Sequence, residues 1–160
     1  MPDESAVNIP GVVKIKPEPS KAIFALETAF GLLEVAKGEM ENKQHEDAYE
    51  DSKNAMRMAS AAIMYNDGYF ASTIDGTYEY VEKKYGESGL VKEWKIVEEK
   101  SPENRGFVNK LLEALGLRKR KDMETDARRA FSVAETFVQS AKALVMMGAT
   151  PAWETTIREE

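Results

Sequence analysis

The chain contains no cysteine. Disulfides, thiolate metal centres and a cysteine nucleophile are therefore excluded, and the composition fits a reducing compartment. Histidine occurs once, at His45. A di-metal centre in a helical bundle takes a Glu-x-x-His pair from each of two helices, so a lone histidine cannot build one. A Ser-His-acid triad would have to use His45, which sits in a turn-like segment among acids. No apolar run approaches the roughly 20 residues that span a bilayer. There is no Gly-x-x-x-x-Gly-Lys phosphate loop, no Gly-x-Gly-x-x-Gly and no Gly-x-Ser-x-Gly elbow. The opening MPDESAVNIP has neither a basic n-region nor an apolar h-region, which predicts no secretory leader. A soluble cytoplasmic protein without membrane association or cofactor is expected.

What is present suits one globular domain. The chain has 160 residues, 42% hydrophobic and 31% charged, enough to bury a core without covalent staples. Net charge is −6 and the pI about 5.1, which argues against duplex binding over the whole surface. A local basic patch could still bind phosphate.

The stretch Glu46 to Gly68 organises the rest. Ala48/Tyr49, Ser52, Ala55, Met56, Ala59, Ala62 and Ile63 recur at i, i+3, i+4, the spacing of a helix with one buried face. Its many small residues allow other helices to approach closely. Before it, residues 1–19 carry four prolines and read as an extended arm, with Gly11 to Ile15 as one short extended segment at most. The arm is either a partly ordered tail or a segment that packs on a partner subunit. Ser20 is the expected N-cap of a first helix to about Glu41, with Phe24, Leu26, Ala29, Phe30, Leu33, Ala36 and Met40 as its apolar stripe. Gly31 and Gly38 mark either close helix contacts or a weak end. Asn42-Lys43-Gln44 is a short turn, which makes the first two helices antiparallel neighbours.

After the C-cap signal Asn66-Asp67-Gly68, a third helix is predicted from Ser72, with Asp75 in a capping-box position and Gly86 as its end. Leu90, Val91, Trp94 and Val97 predict a short helix. Ser101-Pro102-Glu103 opens another through Leu115. The last long helix is predicted from about Met123 to Met147, stopped by Gly148 and Pro151. The fold class is thus all-α, an up-and-down bundle of about five helices. The arm covers 1–19, the bundle 20–148 and a C-terminal tail 149–160.

Four groups of residues carry candidate chemistry. Glu41, Glu46, Asp47, Glu50 and Asp51 surround His45 and could hold a divalent ion, but acids in the first turn also favour a helix dipole, so no metal site is assigned. Arg118, Lys119, Arg120 and Lys121, followed by Arg128 and Arg129, are candidate phosphate contacts at the start of the last helix. Arg57, in the middle of the second helix, faces solvent beside the buried stripe or, if this helix dimerises, sits at the subunit interface and pairs with an acid such as Asp75 or Glu79. Tyr65, Tyr69, Tyr78, Tyr80 and Tyr85, with Phe70, could stack bases or fill the core. The eight methionines are expected in the core or on an adaptable apolar surface.

Three segments, HEDAYEDSKNAMRMASAAIMYNDGY, STIDGTYEYVEKKYG and ETDARRAFSVAETFVQSAKALV, resemble in order and texture the helices of the HEPN superfamily, small helical-bundle domains. The resemblance covers about residues 22–147. It implies a four- to five-helix bundle, frequent homodimerisation, and partnership with a nucleotidyltransferase or toxin-like protein. The family's ribonuclease signature is Arg followed four to six residues later by His. Here no arginine precedes His45, because the first arginine is Arg57. The resemblance therefore implies a non-catalytic module binding a nucleotide, RNA or a protein partner. The alternatives are a helical interaction scaffold and an atypical ribonuclease or metal-dependent hydrolase. A homodimer is expected, because small-residue and Met-rich helix faces exceed what one bundle buries.

Overall fold

The computed structural model describes residues 8–85, 89–100, 111, 114–116 and 121–158. Among them are five helices and one small sheet, so the chain is an all-α bundle. The elements are β1 (Val12–Lys14), α1 (Pro19–Glu41), α2 (His45–Asp67), β2 (Tyr69–Ala71), α3 (Ile74–Tyr85), α4 (Leu90–Glu99) and α5 (Lys121–Arg158). The expected helix from Ser101 and the Gly86 stop lie largely outside the described residues.

Helices α1, α2 and α5 form the centre, and alanine is the reason they pack tightly. Ala22, Ala25, Ala29 and Ala36 on α1, Ala48, Ala55, Ala59 and Ala62 on α2, and Ala127, Ala130, Ala134 and Ala141 on α5 are all buried. Side chains this short let helix backbones approach. Met56, Ile63, Phe137, Val138 and Val145 fill the space between. Every α2 position predicted for the buried face is buried. Lys53 joins them, only 2% exposed, with its ammonium 2.6 Å from Glu50.

Several local expectations are corrected. Pro19, not a capping serine, opens α1: its fixed φ suits the first helical position, and Glu18 stands at the N-cap, 2.8 Å from Lys21. Ser20 lies inside the first turn. Phe24 is not in the core but 69% exposed, because it points opposite to Ala22, Leu26 and Ala29. Gly31 and Gly38 make no close contact among the described residues, where a Cβ on either would meet nothing within 4 Å.

The α1–α2 turn closes as expected and is a Schellman motif: Gln44 N–H bonds to the Glu39 carbonyl at 2.8 Å and Lys43 N–H to the Met40 carbonyl at 3.1 Å. Lys43 occupies the left-handed position at φ 61°, where glycine is usual. Gly68 caps α2 at φ 85°, and a Cβ there would lie 2.9 Å from the Ile15 carbonyl oxygen. That reversal sends Tyr69–Ala71 back as β2.

The arm is tied to its own chain. β1 pairs antiparallel with β2 in the register Val12↔Ala71, Val13↔Phe70 and Lys14↔Tyr69. Ser72 N–H to the Gly11 carbonyl, at 2.8 Å, and Glu18 N–H to the Tyr65 carbonyl, at 2.9 Å, extend the seam. Ile9 and Val12 are buried beneath it. The cap of α3 is Thr73 rather than Ser72: the Gly76 N–H donates to Thr73 Oγ1 at 3.0 Å.

Trp94 joins the outer helices to the centre. Its ring lies 4.3 Å from Tyr78 of α3 and 5.3 Å from Phe137 of α5, centroid to centroid. Helix α5 continues through Gly148 and Pro151 to Arg158. Glycine and proline disfavour a helix by about 1 and 3 kcal/mol, and neither forbids one. Met146, Met147, Ala149 and Ala152 beside them are strong helix formers. No helix among the described residues is long and apolar enough to cross a membrane.

Candidate functional site

Arg57, Ala61 and Tyr65 recur every four residues along α2 and so share one face. The Gly68 reversal brings Tyr69 and Phe70 back beside that face, and Thr73 then starts α3 across from it. Together these elements enclose an open pocket of about 250 Å³, lined chiefly by Arg57, Ala61, Tyr65, Tyr69, Phe70 and Ile74. Two features singled out separately in the sequence, Arg57 and the tyrosine cluster, thus meet in one place.

Arg57 is fixed at the pocket edge by Glu98 of α4. Its Nε lies 2.7 Å from Glu98 Oε1 and its Nη2 2.8 Å from Oε2, a bidentate pair. Within its own chain Arg57 thus has Glu98 as a partner, an acid that the sequence reading did not name. Glu98 is 7% exposed, and the Trp94 indole N–H also donates to its Oε1 at 3.3 Å. Burial, and then the negative Glu98, hold the Tyr78 hydroxyl above the usual phenol range.

The tyrosines divide into two sets. Tyr65 and Phe70 line the pocket with partly exposed rings, whereas Tyr78 and Tyr80 are core, and Tyr69, only 1% exposed, is core that also forms the pocket wall. The Tyr80 hydroxyl donates to Asp67 Oδ2 at 2.8 Å, and its ring lies 5.0 Å from that of Tyr69. Lys84 stands 3.6 Å from Asp67 and over both rings. These contacts pin β2 and α3 to the end of α2. The Tyr69 hydroxyl is buried and has no hydrogen-bond partner among the described residues. The Tyr85 side chain lies outside those residues.

The acidic cluster at the start of α2 is partly committed to internal contacts. Glu50 binds Lys53. The Glu39 carboxyl is pushed up to about 7, by burial first, then by the neighbouring Asp51, then by Asp47. The His45 Nδ1 is buried without a partner among the described residues. Glu41, Glu46 and Asp47 are exposed. Among the described residues, no three His, Asp or Glu side chains come together as metal ligands. Sequence reasoning missed both Glu39 and Lys53. The only signal for Lys53 was its spacing one turn from Glu50; Glu39 had none, because it is on α1 and its acidic neighbours are on α2.

Arg118, Lys119 and Arg120 lie outside the described residues, as does the side chain of Lys121, which begins α5. Of the two arginines that follow, Arg128 pairs with Glu124 at 2.7 Å and Arg129 is exposed. Comparison with protein-family models, curated proteins and solved structures finds no match to this chain.

Proposed function

We propose that this chain is a non-catalytic HEPN-like binding module whose pocket between α2, β2 and α3 receives the base of a nucleotide. The observation that carries the reading is the lining of that pocket: Tyr65, Tyr69 and Phe70 beside an anchored Arg57. Aromatic faces stack on bases whatever their sequence, and a guanidinium meets either a ring face or a phosphate. At about 250 Å³ the pocket falls just below the usual range for ligand sites, which suits one base and not an oligonucleotide.

Nothing in the site favours chemistry. His45 opens α2 and Arg57 lies twelve residues further along it, roughly 18 Å at the helical rise. In this reading the basic connector Arg118, Lys119, Arg120 and Lys121 contributes phosphate contacts.

The test is calorimetric titration of the intact chain with AMP. Ala61→Leu fills the pocket without removing a polar group and should abolish binding. Phe70→Ala should weaken it about tenfold or more, the worth of one stacked base. Alanine at positions 118 to 121 should reduce the salt dependence while leaving stacking intact. Absence of AMP binding, or equal binding by Ala61→Leu, overturns the reading.

A further inference from the structure

Helix α1 carries two parallel seams. Ala22, Leu26, Ala29, Leu33 and Ala36, spaced alternately by four and three residues, are buried against the bundle. Two residues further on, Phe24, Thr28, Gly31, Val35 and Gly38 repeat the same spacing. A shift of two residues turns about 200° around a helix, so this second seam faces away from the core. Phe24 is 69% and Val35 53% exposed. A Cβ built on Gly31 or Gly38 would meet no atom within 4 Å.

Each mid-helix glycine costs about 1 kcal/mol relative to alanine. Among the described residues no packing requires either of them. Alternating four- and three-residue spacing of apolar and small residues is the pattern of a helix–helix seam, and glycine in it lets a second backbone come close. One side of the seam is acidic: Glu27, Glu34 and Glu41 are exposed at seven-residue intervals. Pairing α1 with α1 of a second copy in antiparallel fashion would set this acidic row against itself. A helix with cationic flanks complements it, and the net charge of −6 acts in the same direction.

We infer that the outer face of α1 docks a basic amphipathic helix of a partner protein, with an apolar seam over Gly31 and Gly38 and Lys or Arg beside Glu27, Glu34 and Glu41. The inference is independent of the nucleotide pocket, which lies on other elements.

The probe is a synthetic 21-residue helical peptide with Leu and Ala at seam positions and Lys on its flanks. A twin peptide carries Glu on the flanks. Fluorescence anisotropy on the intact chain should show the Lys peptide bound at least tenfold more tightly than the Glu twin, and less tightly as salt rises. Gly31→Gln should raise the melting temperature, because it adds helix propensity in open space, and yet weaken the Lys peptide at least tenfold. Equal binding of the two peptides, no binding of either, or unchanged binding to Gly31→Gln overturns the inference. So does a solution dimer that Gly31→Gln dissociates, since the occupant would then be a second copy.

Discussion

The Arg57 guanidinium and the Glu98 carboxylate meet through two near-parallel hydrogen bonds of 2.7 and 2.8 Å, across 41 residues of sequence. This contact sets the edge of the pocket and, with the Tyr49 hydroxyl that donates to the Val97 carbonyl, ties α2 to α4. Glu98 also accepts from Trp94, whose ring bridges Tyr78 and Phe137.

Glu98→Ala should therefore destabilise the fold by about 2–3 kcal/mol, because the Arg57 guanidinium and the buried Trp94 indole lose their shared acceptor. Glu98→Gln should cost less, since an amide oxygen still accepts. Urea unfolding of both variants measures the difference. A loss below 0.5 kcal/mol (about the noise of a surface substitution) for Glu98→Ala would make the pair ornamental.

Gly68 and Lys43 both hold left-handed backbone, and opposite substitutions should have opposite effects. Gly68→Ala places a Cβ 2.9 Å from the Ile15 carbonyl oxygen, and about 2 kcal/mol or more should be lost. Lys43→Gly relieves strain in the α1–α2 turn and should add about 0.5–1 kcal/mol. Thermal melts of the two variants moving in the same direction would contradict this.

Removing the Tyr69 hydroxyl should not harm the fold. The oxygen is buried without a partner among the described residues, and an unsatisfied buried group costs about 1–3 kcal/mol. Tyr69→Phe is expected to be neutral or stabilising. A clear drop in melting temperature would show that the hydroxyl has a partner.

Glu39 gives the fold a pH dependence of definite sign. Its carboxyl titrates near 7 when folded, against 4.5 as the ordinary value. Between those limits the folded state holds a proton that the unfolded state has released. This contribution to stability is present in full below 4.5 and is lost as pH rises through 7. Glu39→Gln cannot ionise. Its melting temperature relative to the original chain should therefore rise between pH 5.5 and pH 8, and a constant difference would show that Glu39 is not shifted.

Much of the bundle was legible in the sequence because its signals are local. Ala48, Ser52, Ala55, Ala59 and Ala62 of α2 lie at helical spacing and are all buried, and Gly68 caps the helix as a lone glycine after Asn-Asp should. Val91, Trp94 and Val97 placed α4 in the same way. What escaped depends on contacts between distant segments. The extended segment within Gly11 to Ile15 was legible as β1, but its partner β2 has no pattern of its own and pairs with it because Gly68 turns the chain back. Phe24 is apolar, and only its angle around α1 shows that it misses the core. Lys53 is charged and still buried, because Glu50 stands one turn away. Arg57, Phe70 and the tyrosines stood out singly, whereas the pocket that unites them follows from the α2 cap and the β2 reversal. The basic connector at 118 to 121 was the site chosen from sequence, and charge density alone carried that choice.

The central claim is that the α2–β2–α3 pocket holds a nucleotide. The most direct measurement is a native mass spectrum of the chain purified from its own source without dialysis, beside the Ala61→Leu variant prepared identically. The account predicts a nucleotide-sized adduct on the original chain and none on the variant. A bare chain in both spectra, or the same adduct on both, would contradict it.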